Sequence, residues 1–322
     1  MGPTQMQLLN RQAILKRLEQ QFDRFIPSNL KGILLALIST GLFVIVAVLV
    51  RILSERIDLF QILLFRQIVF MTLLIPAMKA SIDVLLKPRQ IKLHFFRIFG
   101  AFLALYLGFV TVSHIPLADA TALGFTQVLF VAVISRLFLS EAVGVSRVVT
   151  VLMGFLGVML VVQPEFNEAS TLFILAGLTG AFGAAIAVVC VRKMAQTESR
   201  VVLLTYQAVF VGLIALIPSL INWQWPTLYD LALLILVGVI SSVAQWIGVT
   251  AYKLAEANVV ANVEYAKIIY SLGLGYWLFA EVPNDLALIG VIVIVTSAFV
   301  PLVSCSFVKA SSTHTSSDRL RE

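Results

Sequence analysis

Charge is scarce in this chain: 12 % of its 322 residues are Asp, Glu, Lys or Arg, against 60 % apolar residues and a mean hydropathy of +1.00. A soluble globule of this length needs far more polar surface, so an aqueous fold is excluded and a lipid one implied. Cysteine is rarer still. Cys190 sits in an apolar run and Cys305 lies past the last one, so the pair makes no disulfide framework. Histidine occurs only at positions 94, 114 and 314, with no HExxH and no paired aspartates inside an apolar run, which argues against metal-dependent hydrolysis in the bilayer. A GxxxxGK[ST] segment is also missing, so ATP is not expected to drive the chain directly, and no cofactor or metal is expected.

The chain does hold ten apolar stretches, each near the ~20 residues needed to cross a hydrocarbon core of about 30 Å. They run Gly32 to Val50, Leu59 to Met78, Phe95 to Val112, Ala120 to Leu139, Val148 to Val162, Thr171 to Val191, Val201 to Ile221, Leu231 to Tyr252, Val259 to Phe279 and Leu286 to Val303. Backbone groups in lipid must bond internally, so each is expected to be a helix. The positive residues set the orientation. With the N-terminus inside, the outer loops carry only Arg51 and Arg56, while Arg66 and Lys267 lie within stretches; the remaining Lys and Arg fall on the cytoplasmic side. The net charge of +6 is therefore read as a topology signal, and no nucleic-acid partner is expected. Residues 1–31 form a cytoplasmic N-terminal segment, whose Gln5 to Phe25 stretch reads either as an amphipathic surface helix or as a disordered tail, and residues 304–322 form a cytoplasmic C-terminal tail. The first stretch starts only after about 30 residues and is long enough to span, so it is expected to stay as a membrane helix rather than be cleaved as a signal.

One pattern occurs twice. Leu137-Phe138-Leu139-Ser140-Glu141 ends the fourth stretch, and Trp277-Leu278-Phe279-Ala280-Glu281 ends the ninth. The first stretch laid on the sixth agrees at Ile33/Ile174, Leu34/Leu175, Leu37/Leu178, Ile45/Ile186, Val48/Val189, Val50/Val191 and Arg51/Arg192. Two repeats follow, 32–163 and 171–303, each of five segments. An odd number of crossings inverts the second copy relative to the first, which is how secondary transporters build two mirror-related access states. The expected fold is an all-α integral membrane protein of ten transmembrane helices in two inverted five-helix repeats. The sixth stretch spaces Ala176, Gly177, Gly180, Ala181, Gly183, Ala184, Ala185 and Ala187 so that a neighbouring helix can approach closely.

Ionisable groups inside a bilayer cost at least a few kcal/mol and default to function. Arg66 lies in the second stretch, Glu264 and Lys267 in the ninth at i,i+3 spacing on one face. The plainer alternative is an ion pair between Glu264 and Lys267, with Arg66 satisfying carbonyls of a neighbouring helix. A carboxylate at Glu264 beside a cavity could instead hold a substrate ammonium or exchange a proton. The 140-residue offset sets Gln127 opposite Lys267 and Gly124 opposite Glu264, a second wall for the same site. Tyr106 and Trp246 also correspond and could clamp a flat ligand, though aromatics of this kind pack more often than they bind.

These residues resemble the EamA-type members of the drug/metabolite transporter superfamily over positions 32 to 303: two five-helix repeats, Arg66 in the second helix, and the paired endings at Glu141 and Glu281. Val263-Glu264-Tyr265 leading to Phe279-Ala280-Glu281-Val282-Pro283 is similar to a Pro-Phe-Glu-Tyr segment followed by Phe-Gly-Glu-x-Pro, with Val263 and Ala280 departing from it and Lys267 added. The resemblance implies a basket of helices one, three, four, six, eight and nine around a central cavity. It implies cargoes such as amino acids, purines, riboflavin or S-adenosylmethionine, and Glu264, Tyr265, Lys267, Gln127, Tyr106, Trp246 and Arg66 as residues that touch them. Glu141 and Glu281 are then structural. The expected function is a permease of the inner membrane for a small polar or zwitterionic metabolite, coupled to a proton or a counter-substrate, acting alone or as a homodimer. The alternatives are a carrier for a larger flat metabolite and a scaffold that moves nothing.

Overall fold

The computed structural model describes residues 28–139, 145–163, 168–194, 197–254, 263 and 266–297. Among them every regular element is a helix. The long ones are α1 (Ser28–Ser54), α2 (Leu59–Ala80), α3 (Ile91–His114), α4 (Leu117–Leu139), α5 (Val145–Val162), α6 (Glu168–Met194), α7 (Arg200–Ile221), α8 (Leu228–Leu254), α9 (Ala266–Phe279) and α10 (Asp285–Ser297). A single turn, Ile82–Leu85, links α2 to α3. The sequence punctuates these elements with side-chain caps. Asp58 accepts the Phe60 amide at 2.9 Å to start α2, and Ser199 accepts the Val202 amide at 3.3 Å to start α7. Pro76 and Pro218 lie near the C-terminal ends of α2 and α7, so each interrupts only the end of its helix.

Six helices, α1 to α3 and α6 to α8, are long and apolar enough to cross a membrane; the described apolar parts of α4, α5 and α10 are shorter, and α9 has 14 residues. The two largest clusters of buried apolar side chains among the described residues follow that division. Val50, Leu53, Ile62, Leu63, Ala101, Val211 and Leu234 join α1, α2, α3, α7 and α8. Ala122, Leu123, Val158, Ile268 and Ile294 join α4, α5, α9 and α10. Large apolar side chains such as Ile38, Phe95, Leu213 and Ile292 point outward from both, as a lipid-facing surface requires.

Helices meet backbone to backbone at paired glycines. A methyl carbon at Gly183 of α6 would stand 2.7 Å from the Gly100 carbonyl oxygen of α3, and one at Gly290 of α10 would stand 2.7 Å from that of Gly157 on α5. Part of the small-residue face of α6 is thus used in packing, with Gly177 against Leu123 and Thr111. Along the bundle α3 lies on α6, α1 on α8, α2 on α7 and α4 on α9.

Cross-links sort the helix ends into two faces. At one, Gln61 and the Gln224 backbone exchange bonds of 2.7 and 3.0 Å, Gln163 and Asn284 pair amide to amide at 2.7 and 2.9 Å, and His114 stacks on Phe173 at 4.1 Å. At the other, Glu198 accepts the Arg89 and Gln90 amides at 2.6 and 3.2 Å, and the Tyr206 hydroxyl donates to the Leu85 carbonyl at 3.0 Å. Two of the differences from the sequence boundaries bear on the site. α3 begins at Ile91 rather than Phe95, which brings His94 onto the helix that holds Arg97, and Arg51 sits in the last turn of α1 rather than in a loop.

Candidate functional site

A cavity of about 230 Å³ lies between α1, α3, α4, α6 and α9. Most of its wall is apolar or small: Val44 and Ala47 from α1, Gly108 and Phe109 from α3, Gly124 and Phe125 from α4, Gly180 and Ala184 from α6. Five polar side chains interrupt that wall: Arg66 from α2, Thr111 from α3, Thr121 and Gln127 from α4, and Lys267 from α9. Gly108 and Gly124 have open space where a side chain would stand, so their role is to leave volume rather than to admit a neighbouring helix.

Arg66 is 2 % exposed. Its Nη2 donates to Gln245 Oε1 at 3.1 Å, whereas its Nη1 has no partner among the described residues. Gln245 in turn donates to Gln207 Oε1 at 3.1 Å, and that same oxygen accepts Arg97 Nη2 at 2.8 Å. Arg97 Nη1 donates to the Leu203 carbonyl at 2.5 Å. A hydrogen-bonded line therefore runs from Arg97, near the start of α3, through α7 and α8 to Arg66 at the cavity. Beside Arg97, His94 Nε2 stands 3.5 Å from Glu198 Oε1. Among the described residues, no carboxylate pairs with Arg66, Arg97 or Lys267.

A second, larger pocket of about 510 Å³ lies toward the face of Asn284, lined among others by Asp119, Gln163, Ser271, Gly275 and Glu281. Two contacts lie between the pockets. Thr121, which lines the cavity, is 2.7 Å hydroxyl to hydroxyl from Ser271, which lines the pocket. Glu281 accepts Arg51 Nη1 through Oε1 and the Leu117 amide through Oε2 at 3.0 Å, so it clasps the ends of α1, α4 and α9 together. The Leu117 amide opens α4, where the helix dipole favours a carboxylate. Glu281 thus ties three helices, more than the one helix end and loop read from the sequence. Gly275 makes room for it, since a methyl there would stand 2.7 Å from Glu281 Oε2.

Of the seven residues singled out in the sequence, the cavity brings together Arg66, Gln127 and Lys267. Tyr106 stacks on Phe60 at 4.0 Å and on Phe102 at 5.8 Å within the first core, and Trp246 is 40 % exposed with the Arg200 guanidinium 5.3 Å above its ring. These two aromatics share no pocket, so a clamp between them has no counterpart in this geometry. Glu264, Tyr265 and Glu141 lie outside the described residues. α8, expected to line the cavity, reaches it only through the Gln245 contact to Arg66. Sequence reasoning missed Arg97, Gln207 and Gln245 as one network. The available signal was that all three fall on the apolar runs of α3, α7 and α8.

The model of the EamA-like transporter family matches this chain twice, over residues 30–163 and 171–303. A pseudopaline exporter of Pseudomonas aeruginosa is 30 % identical over 274 residues, 83 % of this chain and 94 % of its own length. A riboflavin transporter of Vibrio cholerae is 30 % identical over 66 % of this chain and 72 % of its own, and an S-adenosylmethionine uptake transporter of Rickettsia bellii is 27 % identical over 77 % and 85 %. A crystal structure with 18 % identity superposes at a TM-score of 0.65, covering 85 % of this chain and 96 % of its own, and so shares the fold. This multi-pass membrane protein belongs to the EamA-like transporter family.

Proposed function

We propose that the chain is a secondary transporter that moves a small polar or zwitterionic metabolite across the cytoplasmic membrane, with both termini cytoplasmic. One observation carries this reading: a cavity in the middle of an apolar bundle, built by helices of both halves, that holds Arg66, Gln127 and Lys267. Buried cations without a structural partner are retained where a ligand meets them.

Ten helices in two inverted repeats, 32–163 and 171–303, supply the moving parts in this reading. The packing supports it, because exchanging the halves turns α3 on α6 into α8 on α1 and leaves α2 on α7 and α4 on α9 unchanged. The helix directions support it too. Arg51, in the last turn of α1, reaches the Glu281 face, whereas Phe173, near the start of α6, meets His114 at that face. Alternating access then opens the cavity at one face while the other stays shut. The Glu281 clasp and the Thr121–Ser271 contact form the shut gate on the Asn284 side, with the larger pocket as its vestibule. Glu264, one turn before Lys267, is the residue through which a proton or counter-substrate couples.

Cavity size favours amino-acid-sized cargo, since drug-sized ligands occupy about 300–1,000 Å³. The names of two relatives favour riboflavin or S-adenosylmethionine as the second reading. Flux of labelled amino acids, nucleobases, riboflavin and S-adenosylmethionine into proteoliposomes holding the purified full chain decides between them. Movement of an amino-acid-sized solute is expected, with accumulation abolished by Glu264→Gln. Absence of flux for every solute would overturn the transporter reading and leave a scaffold.

A further inference from the structure

Among the described residues the cavity holds positive charge that no carboxylate neutralises. Arg66 is buried, keeps Nη2 on Gln245 and presents Nη1 with no acceptor. Lys267 brings a second cation to the same cavity from α9. Among the described residues no Asp or Glu lines this space. Glu264, three residues before Lys267 in the sequence, lies outside the described residues, so the described lining sets two cations against no anion. An uncompensated guanidinium in low dielectric is costly, and the group that best relieves it is an anion entering from the cavity.

The side-chain donors on hand favour a carboxylate. Most of the described wall is helix interior, whose amides are already bonded within their helices; the exception is the first described turn of α9, which carries Lys267. Thr121 and Thr111 spend their hydroxyl protons on the Leu117 and Leu107 carbonyls at 2.8 and 2.7 Å. What is left is one edge of Arg66, the Lys267 ammonium and the Gln127 amide. Such a set matches the two oxygens of a carboxylate, with a charge-assisted bond from each cation. Gly108 and Gly124 keep the space beside these groups clear, with nothing within 4 Å of where a side chain would stand.

We infer that the cargo is a carboxylate-bearing metabolite of net negative charge, its carboxylate held by Arg66 Nη1 and Lys267. The inference rests on the transporter reading for the word cargo, yet the binding site stands apart from flux. The decisive experiment uses the full chain, purified for binding of labelled probes and reconstituted for their flux. The probes are glutamate and succinate, their amides glutamine and succinamide, inorganic phosphate, and putrescine. Glutamate or succinate is expected to bind and move at least tenfold better than its amide. Arg66→Gln and Lys267→Gln should each remove at least tenfold of that preference, while Arg66→Lys restores part of it, which a merely structural arginine would not do. Carboxylate binding that Arg66→Gln abolishes, without flux of any probe, would uphold the anion site and sink the transporter reading. Flux of amides or putrescine in preference to carboxylates, phosphate as the preferred anion, or no carboxylate binding at all would overturn the proposal.

Discussion

Two arginines lie on one line of hydrogen bonds and are buried equally, Arg66 at 2 % exposure and Arg97 at 3 %. Their surroundings differ. Arg97, at the end of the bundle where Glu198 receives the Arg89 and Gln90 amides, gives one terminal nitrogen to the Leu203 carbonyl and the other to Gln207, so both of its long arms are spent on joining α3 to α7. Arg66, which lines the cavity, gives one to Gln245 and leaves the other, Nη1, buried without a partner among the described residues. Burial alone therefore does not separate a packing cation from a binding one, and neither does the number of unmet nitrogens, Nη1 in Arg66 and Nε in Arg97; what differs is that Arg66 lines the cavity and Arg97 does not.

The contrast can be broken from either side. The largest effect is expected for Arg97→Gln, which strips the Leu203 carbonyl of its donor inside the bundle. Orphaned buried groups cost about 1–3 kcal/mol each, so the melting point in detergent should fall by several degrees. Next comes Arg66→Gln: flux per folded molecule should drop at least tenfold while the melting point stays close to that of the parent. Equal destabilisation by both substitutions would erase the distinction between them. Gly124→Leu sharpens it without touching charge, because the added side chain meets open space and fills the cavity. Flux should fall several-fold with stability kept, and unchanged flux would mean that the cargo passes elsewhere.

Smaller effects are expected at the Asn284 face. Glu281→Gln weakens a part-exposed clasp, whose two side chains are 24 % and 18 % exposed, so no more than about 1 kcal/mol is at stake. Cysteine labelling inside the larger pocket should quicken as the clasp loosens. Ala280 holds φ of +53°, in the left-handed region where glycine is at ease. Ala280→Gly, which relieves that conformation, should stabilise the fold by about 0.5–1 kcal/mol, read as a small rise in melting point.

Much of this was legible in the sequence for a plain reason: lipid forces apolar runs into helices, so their order and the charges that interrupt them are visible without coordinates. Arg66, Gln127 and Lys267 stood out because a polar side chain in such a run has few places to go. Tyr106 and Trp246 did not sort the same way, since an aromatic is at home in a core, at an interface or in a site, and spacing alone does not say which way its helix is turned. Arg97 escaped notice because it follows Lys92 and His94 closely and was counted with the positive loop although it falls on the third apolar stretch; its bonds to Leu203 and Gln207 show that it lies inside. The Glu281 clasp was equally hidden, for its partners Arg51 and Leu117 are far away in sequence and meet it only when α1, α4 and α9 converge.

The inversion of the two halves, on which alternating access depends, is open to a direct measurement. Lys87, in the connection between α2 and α3, and Asn222, in the corresponding connection between α7 and α8, are both exposed. Single cysteines at these positions, in a chain with Cys190 and Cys305 replaced by serine, can be treated in intact cells with a membrane-impermeant maleimide. Labelling at position 222 with protection at 87, reversed in inside-out vesicles, is the expected result. Equal labelling of both positions from the same side would contradict the inverted arrangement and the transport cycle built on it.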